Sequence, residues 1–424
     1  MSSHERLTAT SSQDVLSIIP FNLGFWPRSS LVCLGLAGSS VRATLRVDLP
    51  DGGCRDPEGI DRYVQTVGES LRLDECADGT LLAVYTDEDW DGTGARPHPL
   101  LLDALLPALA SWGLPVKDAW HLGPAHWRHL QCRRDHCCPV PGHEVRSITG
   151  STMTAELVYA GRSFDRDPRA RAAQCLEPLP AEVQNGIRRS ADAAADRLAG
   201  RLSGGAQFNA VLKVWQLSLL RWPKLPDDAV AGYLVASLHS VAVRDAVLVM
   251  AAAGIQTAMD GAWCAGLLVP ATGRAFKPTM PAATAAERAR IAGDAERDKG
   301  WDGADFGVVL MAGTADAPGS AAAPSPDPAA IPNWDRMDCA EQLLGHLARA
   351  AEGSARAAAL TMIGWIQWCK GRSSVAGTYL HLALAEQPGY RLAALLDALL
   401  EQGCISGWAR NPATAWRQDQ RGIG

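Results

Sequence analysis

The sequence predicts an α/β amino-terminal domain with a mixed, partly parallel sheet, followed by a mainly α-helical half that holds a tetratricopeptide-like helix pair. Three observations predict it. Between Leu31 and Leu122, short apolar or alternating runs of strand length are separated by segments with a helical stripe. From Thr152 onward nearly every segment has the helical period. Near the carboxy terminus, Gly364, Gly371, Ala376, Leu380, Ala383 and Pro388 fall at the spacing of a tetratricopeptide repeat, where small residues let two antiparallel helices approach and proline closes the second.

Taken in order, Ser11-Ser12-Gln13-Asp14 caps a short helix carrying Val15, Leu16, Ile18 and Ile19, which Pro20 is expected to end. Leu31 to Leu36 is a continuous apolar run and reads as a buried strand. Val41 to Asp48 alternates and completes a hairpin across Ala37 to Ser40. Ile60, Val64, Val67 and Leu71 share one helix face. Thr80 to Thr86 is a second buried strand, and Leu100 to Trp112 a helix stopped by Gly113. Val116 to Leu122 is a strand leading to Trp127. Helices of this length between strands imply crossovers, hence the parallel part of the sheet.

Beyond the sheet, Phe208 to Leu220, Asp227 to Leu238 and Val243 to Ala252 read as successive helices, and Ala282 to Lys299 as one with a solvated face. The expected organisation is residues 1–162 as the α/β domain, 163–312 as a helical region, and 313–332 as a flexible Ala/Pro/Ser/Asp linker. Residues 333–410 form the tetratricopeptide-like module and 411–424 a tail.

Composition excludes several classes. With 424 residues, 47% hydrophobic and 20% charged, the chain is a folded globular protein of more than one domain. A formal charge of −6 argues against a general nucleic-acid binder. Met1 to Thr10 is polar, and no apolar run approaches the roughly 18–20 residues of a bilayer span. A cytoplasmic protein without membrane contact is therefore expected. In a reducing compartment its 11 cysteines serve as small hydrophobes, metal ligands or reactive thiols rather than disulfides. Cys33, Cys175, Cys264, Cys369 and Cys404 stand alone in apolar segments and read as packing residues.

The stretch from Trp127 to Glu144 is different. It reads H-x2-H-x2-C-x3-H-C-C-x4-H from His126 to His143. One reading is packing, with a buried cysteine and Pro139 to Gly142 closing a turn. A second is a metal site: zinc takes four soft or borderline ligands, and Cys132, Cys137 and one of Cys138, His136 or His143 supply three or four, although adjacent Cys137 and Cys138 rarely both bind one ion and no second C-x2-C pair exists. A third is a thiol pair, Cys132 with Cys137 or Cys138, made reactive by Arg133, Arg134 and His136. No cofactor other than zinc is suggested. Arg244-Asp245, a charged pair in an apolar helix, reads as a salt bridge or cap before it reads as a pocket residue pair. The acidic loop Asp87 to Asp91 lacks calcium-loop spacing and reads as solvated charge. No phosphate-binding glycine loop, nucleophile elbow or HExxH is present.

Several of these stretches together resemble an actinobacterial family catalogued as domain of unknown function 4192. The carriers are Asp14 to Leu36, the pattern W-R-x3-C-x4-C-C-P-x2-G at Trp127 to Gly142, Ala155 to Arg162, Val243 to Asp245 and Ala383 to Leu396. By that resemblance Trp127, Arg128, Cys132, Cys137, Cys138, Pro139 and Gly142 form the pattern, and the histidines at 126, 129, 136 and 143 do not belong to it. The resemblance implies no activity. The expected function is an interaction or scaffold protein with a structural cysteine loop, taking a protein partner on its carboxy-terminal helices. The alternative is an enzyme, or a redox- or metal-dependent regulator, using that loop.

Overall fold

The computed structural model describes residues 8–50, 56–74, 76–91, 96–132, 134, 136–270, 273–313, 331–411 and 413–416, without the side chains of residues 168, 170 and 171. The chain forms two compact units that divide at Ala170.

The first unit opens with α1 (Ser12–Leu23). Ser11 accepts from the Asp14 backbone while the Asp14 carboxylate accepts from the Ser11 backbone, a reciprocal cap. Pro20 does not end this helix, contrary to expectation. It lies inside, and the helix runs on to Gly24, whose left-handed backbone closes it with a bond to the Pro20 carbonyl. The hairpin β1 (Ser30–Ala37) and β2 (Ser40–Asp48) is followed by α2 (Pro57–Arg72), β3 (Gly79–Tyr85), α3 (Pro99–Ser111) and β4 (Val116–Leu122). Two short strands come next, β5 (His126–His129) and β6 (His143–Glu144), then α4 (Arg146–Thr149) and α5 (Thr152–Tyr159).

The six strands form one sheet in the order β2-β1-β3-β4-β5-β6. Only β3 and β4 are parallel; the other pairs are antiparallel. The mixed, partly parallel sheet is thus as predicted. Its central strands β1 and β3 are buried on both faces because alternate residues meet different helices. Leu31, Cys33, Leu82 and Val84 pack with α2 and α3. Val32, Leu34, Ala83, Tyr85 and Trp120 pack with Leu16 and Ile19 of α1 and with Ile148. That is why β1 and β3 read as apolar runs without alternation. Strands β5 and β6 were not predicted. The cysteine segment is therefore an excursion between β5 and the antiparallel edge strand β6.

The second unit is helical: α6 (Pro168–Cys175) leads into it, followed by α7 (Ala181–Leu198), α8 (Gly205–Arg221), α9 (Asp228–Ser237), α10 (Val241–Ala253), α11 (Ile255–Cys264), α12 (Ala285–Arg297) and α13 (Phe306–Leu310). After residues 314–330 come α14 (Trp334–Ala348), α15 (Gly353–Cys369), α16 (Ser373–Glu386), α17 (Arg391–Glu401) and α18 (Gly407–Arg410). Nearly all of the expected linker, and the tail beyond residue 416, lie outside the described residues. The helices on either side of that stretch, expected as separate modules, share one hydrophobic core centred on α10 and α15. Arg336 of α14 ties the two sides together, donating to the Ala251 carbonyl at 3.0 Å and to both oxygens of Asp298 at 3.0 and 2.9 Å. Within the carboxy-terminal pair, Gly364 of α15 faces Leu380 and the Ala376 carbonyl of α16.

Among the described residues no single helix is long and apolar enough to cross a membrane. The apolar pair α9 and α10, bent by 110°, lies in the buried helical core. Of the cysteines expected to pack, Cys33 and Cys369 are buried, whereas Cys175 and Cys264 are exposed at the ends of α6 and α11. Helix ends turn residues toward water, which a local apolar context does not reveal.

Gly232 gives a test of this packing. Helix propensity alone predicts that Gly232→Ala stabilises α9 by roughly 0.5–1 kcal/mol. A Cβ there would stand 2.6 Å from the Ala191 nitrogen and 2.6 Å from the Ser190 carbonyl carbon of α7. Backbone cannot swing aside as a side chain can, so overpacking wins. We expect Gly232→Ala to lower stability by about 2 kcal/mol in urea unfolding. A rise in the unfolding midpoint would refute the close approach of the two helices.

Candidate functional site

The segment from Leu130 to Gly142 carries the cysteines out from β5 and back to β6. A tight turn brings them together: the backbone N–H groups of Cys137 and Cys138 both donate to the Arg134 carbonyl, at 3.2 and 2.9 Å. The sulfurs of Cys132, Cys137 and Cys138 all lie within 4.8 Å of one another, and Cys132 Sγ is 2.8 Å from Cys137 Sγ. Their environments differ. Cys138 is fully buried, Cys132 half-buried and Cys137 exposed.

Those differences set their acidities. The Cys132 thiol is pulled down to about 7, first by the hydrogen bond from the Cys137 thiol, then by one from the Arg134 backbone, with a smaller contribution from the charge on His129. Cys137, which keeps the proton of that pair, is pushed up. Burial pushes Cys138 up to about 11. His129 is held above its usual range by Asp118, whose Oδ1 lies 2.9 Å from Nδ1, against the opposing effect of burial. The other ring nitrogen is 3.2 Å from Ser12 Oγ at the start of α1. Asp118, His129 and Cys132 thus form an electrostatic chain: the carboxylate favours imidazolium, and imidazolium favours thiolate.

The remaining residues of the segment build its frame. Arg128 is 4% exposed. Its guanidinium donates to the carbonyls of Asp91, Pro139 (3.2 Å) and Cys138 (3.4 Å), and it lies over the Trp90 ring at 5.6 Å. It therefore joins the acidic loop to the cysteine turn. Asp89 does the same from the other side, accepting from the backbone of Ala125 and His126 at 3.0 and 2.9 Å, so this residue is an anchor as well as a solvated charge. Trp127 sits in the core beside Ile148 and stacks on His143 at 4.6 Å. His143 donates through Nε2 to the Cys137 carbonyl at 2.7 Å. The Val140–Pro141 peptide is cis, and Gly142 has φ +140° with the Trp127 carbonyl 2.9 Å from where a Cβ would stand. Only glycine fits that approach.

The described residues thus offer a soft metal three thiolates and no fourth grouped ligand. His136 is exposed and stands outside the thiol group, and His143 is spent on a backbone carbonyl. Arg134 is exposed, and Arg133 lies outside the described residues. In the second unit, Arg244 bonds Asp245 at 2.7 Å and the Tyr390 hydroxyl at 3.0 Å, a link from α10 to the start of α17. The role of Asp118 was missed. The Trp120–His129 pairing places Asp118 diagonally across from His129, but that signal exists only once the register of β5 is known.

A family model described as domain of unknown function (DUF4192) matches residues 13–318 and 330–405. The chain belongs to this family. No curated protein and no solved structure matches it. The match covers the whole cysteine segment, so the Trp127–Gly142 frame of this DUF4192 member lies inside the family region.

Proposed function

We propose that the amino-terminal unit of this DUF4192 protein is a thiol switch, in which Cys132 is oxidised and Cys137 resolves it. The observation that carries this reading is the 2.8 Å contact between two sulfurs of unlike environment. With a peroxide as oxidant, the Cys132 thiolate attacks the O–O bond. An S–O bond forms, the O–O bond breaks and the leaving oxygen takes a proton to give water or an alcohol. The Cys137 thiol then attacks the sulfenic sulfur; the S–S bond forms, the S–O bond breaks and water leaves with the Cys137 proton. Two electrons pass from the sulfur pair to the peroxide. In this reading the helical unit is the part that meets a protein partner.

The convergence of three thiols favours a second reading, a tri-thiolate soft-metal site of the zinc class, in which metal binding displaces the thiol protons. One experiment separates the two. The protein is purified under reducing conditions, its metal measured, and its thiols mapped by mass spectrometry after one equivalent of hydrogen peroxide. A Cys132–Cys137 disulfide in metal-free protein supports the switch. About one zinc per chain, with all three thiols unreactive until chelation, supports the metal site. Metal-free protein with all three thiols unoxidised sinks both.

A further inference from the structure

The second unit holds a groove of about 960 Å³ between α7, α8 and the stretch from Arg274 to Ala283. Arg197, Arg201, Lys213, Arg274 and Lys277 line it, and no acidic residue does. Among the described residues none of the five has an ion-pair partner; the ion pairs of this unit lie elsewhere. This is a concentration of one sign in a chain whose net charge is −6. A concave set of uncompensated cations focuses a positive potential and draws in anions.

The groove is built rather than accidental. The buried side chain of Gln207 accepts from the Phe276 N–H at 2.8 Å and donates to the Phe276 carbonyl at 2.7 Å, and the Tyr233 hydroxyl donates to the same carbonyl at 2.9 Å. These bonds pin the loop that carries Arg274 and Lys277 against α8 and α9. Arg201 donates to the Arg274 carbonyl at 2.7 Å, and Arg197 lies 3.6 Å over the Phe276 ring. Lys213, Arg274 and Lys277 are exposed around this fixed wall.

We propose that this groove binds a compact phosphorylated ligand of the nucleoside polyphosphate class. Several uncompensated cations suit several phosphate charges, with arginine offering paired donors to phosphate oxygens. Leu217 and Met280 supply an apolar part of the wall for the nucleoside. The volume lies at the upper end of the range of roughly 300–1,000 Å³ that holds small ligands. Single-stranded nucleic acid is the less fitting polyanion, because its binding uses open aromatic platforms. The one aromatic side chain in this wall, Phe276, has Arg197 on its face and Tyr233 packed against it at 5.5 Å. The inference is independent of the thiol centre.

The test is calorimetric titration of the full chain with ATP and, separately, with inorganic pyrophosphate. We expect saturable ATP binding, weaker pyrophosphate binding, and a loss of about 100-fold for ATP in the Lys213→Glu/Arg274→Glu double variant, about tenfold for each cation removed. Both positions are exposed, so the fold is retained, and reversal of the exposed Lys224, outside the groove, leaves ATP affinity unchanged. Absence of saturable ATP binding, or equal binding by the double variant, overturns the site. Pyrophosphate binding as tight as ATP overturns the nucleoside part. A single-stranded oligonucleotide that binds more tightly than ATP, and is lost in the same double variant, reassigns the groove to nucleic acid and overturns the compact ligand.

Discussion

Cys132→Ser is expected to abolish an alkylation reaction whose rate levels off near neutral pH. A thiol with a pKa of about 7 is half ionised at pH 7, whereas a free cysteine at about 8.5 is roughly 3% ionised. That is roughly a 15-fold excess of thiolate. Nucleophilicity falls with pKa at a Brønsted slope of about 0.4–0.5, which returns a factor of roughly five. The net advantage at pH 7 is therefore only about threefold, so a single rate at neutral pH is a poor test. The pH profile is the better one. Near pH 6 the advantage grows to roughly sixfold, and above pH 8 the Cys132 rate is flat while that of an ordinary thiol still climbs. Iodoacetamide rates resolved by peptide mapping between pH 5.5 and 9 read this directly. Cys137→Ala removes the largest cause of the low pKa and moves the Cys132 midpoint up furthest. Asp118→Asn lowers the His129 pKa, leaves the imidazole less charged at neutral pH and moves the same midpoint up by less. A Cys132 rate that keeps rising to pH 9 in the wild-type protein would end the thiol-switch reading.

How far the sequence reveals this follows from how local each determinant is. The cap of α1, the apolar stripe of α2 and the double-sided burial of β1 and β3 are set by residues within a few positions, and each was legible. The passage of α1 through Pro20 was not, because it depends on Gly24 closing the helix four residues later. Strands β5 and β6 have four and two residues and sit in a run of His, Arg and Cys without alternation. Their existence comes from pairing, β5 with β4 and β6 with β5, a tertiary fact. The same holds for the cysteine segment. Its residue types drew attention to the segment, but which sulfur is acidic is set first by the turn that brings the Cys137 thiol and the Arg134 backbone onto Cys132, and to a smaller degree by His129. The cationic groove is the extreme case. Its five charges are spread from Arg197 to Lys277 among ordinary acidic neighbours, and only the packing of α7, α8 and one loop segregates them.

Arg128→Leu is expected to have the largest effect on the stability of the first unit. Leucine replaces the apolar stem of Arg128 but not its guanidinium, so the change removes the hydrogen bonds together with the contact over Trp90. Removing the guanidinium strips donors from the carbonyls of Asp91, Cys138 and Pro139. The bond to Cys138 is buried and those to Asp91 and Pro139 are part-buried; losing a buried bond costs about 1–3 kcal/mol and a part-buried one less, and the relief of burying no charge offsets part of the sum. We expect a net loss of about 3 kcal/mol, a large share of the roughly 5–15 kcal/mol that holds a domain folded. Arg128→Lys keeps the charge but has a single ammonium for acceptors on two separate segments, so it recovers only part of the loss. Urea unfolding followed by tryptophan fluorescence measures both. A second readout ties the clamp to the site: Cys138, buried in the wild-type protein and therefore expected to resist alkylation, is expected to become reactive in Arg128→Leu at denaturant concentrations well below the unfolding midpoint. If Arg128→Leu leaves both the midpoint and Cys138 protection unchanged, the guanidinium is not what holds the cysteine turn to the sheet. The conspicuous arginine of the W-R-x3-C pattern would then need a role in binding an anion at the thiol centre instead.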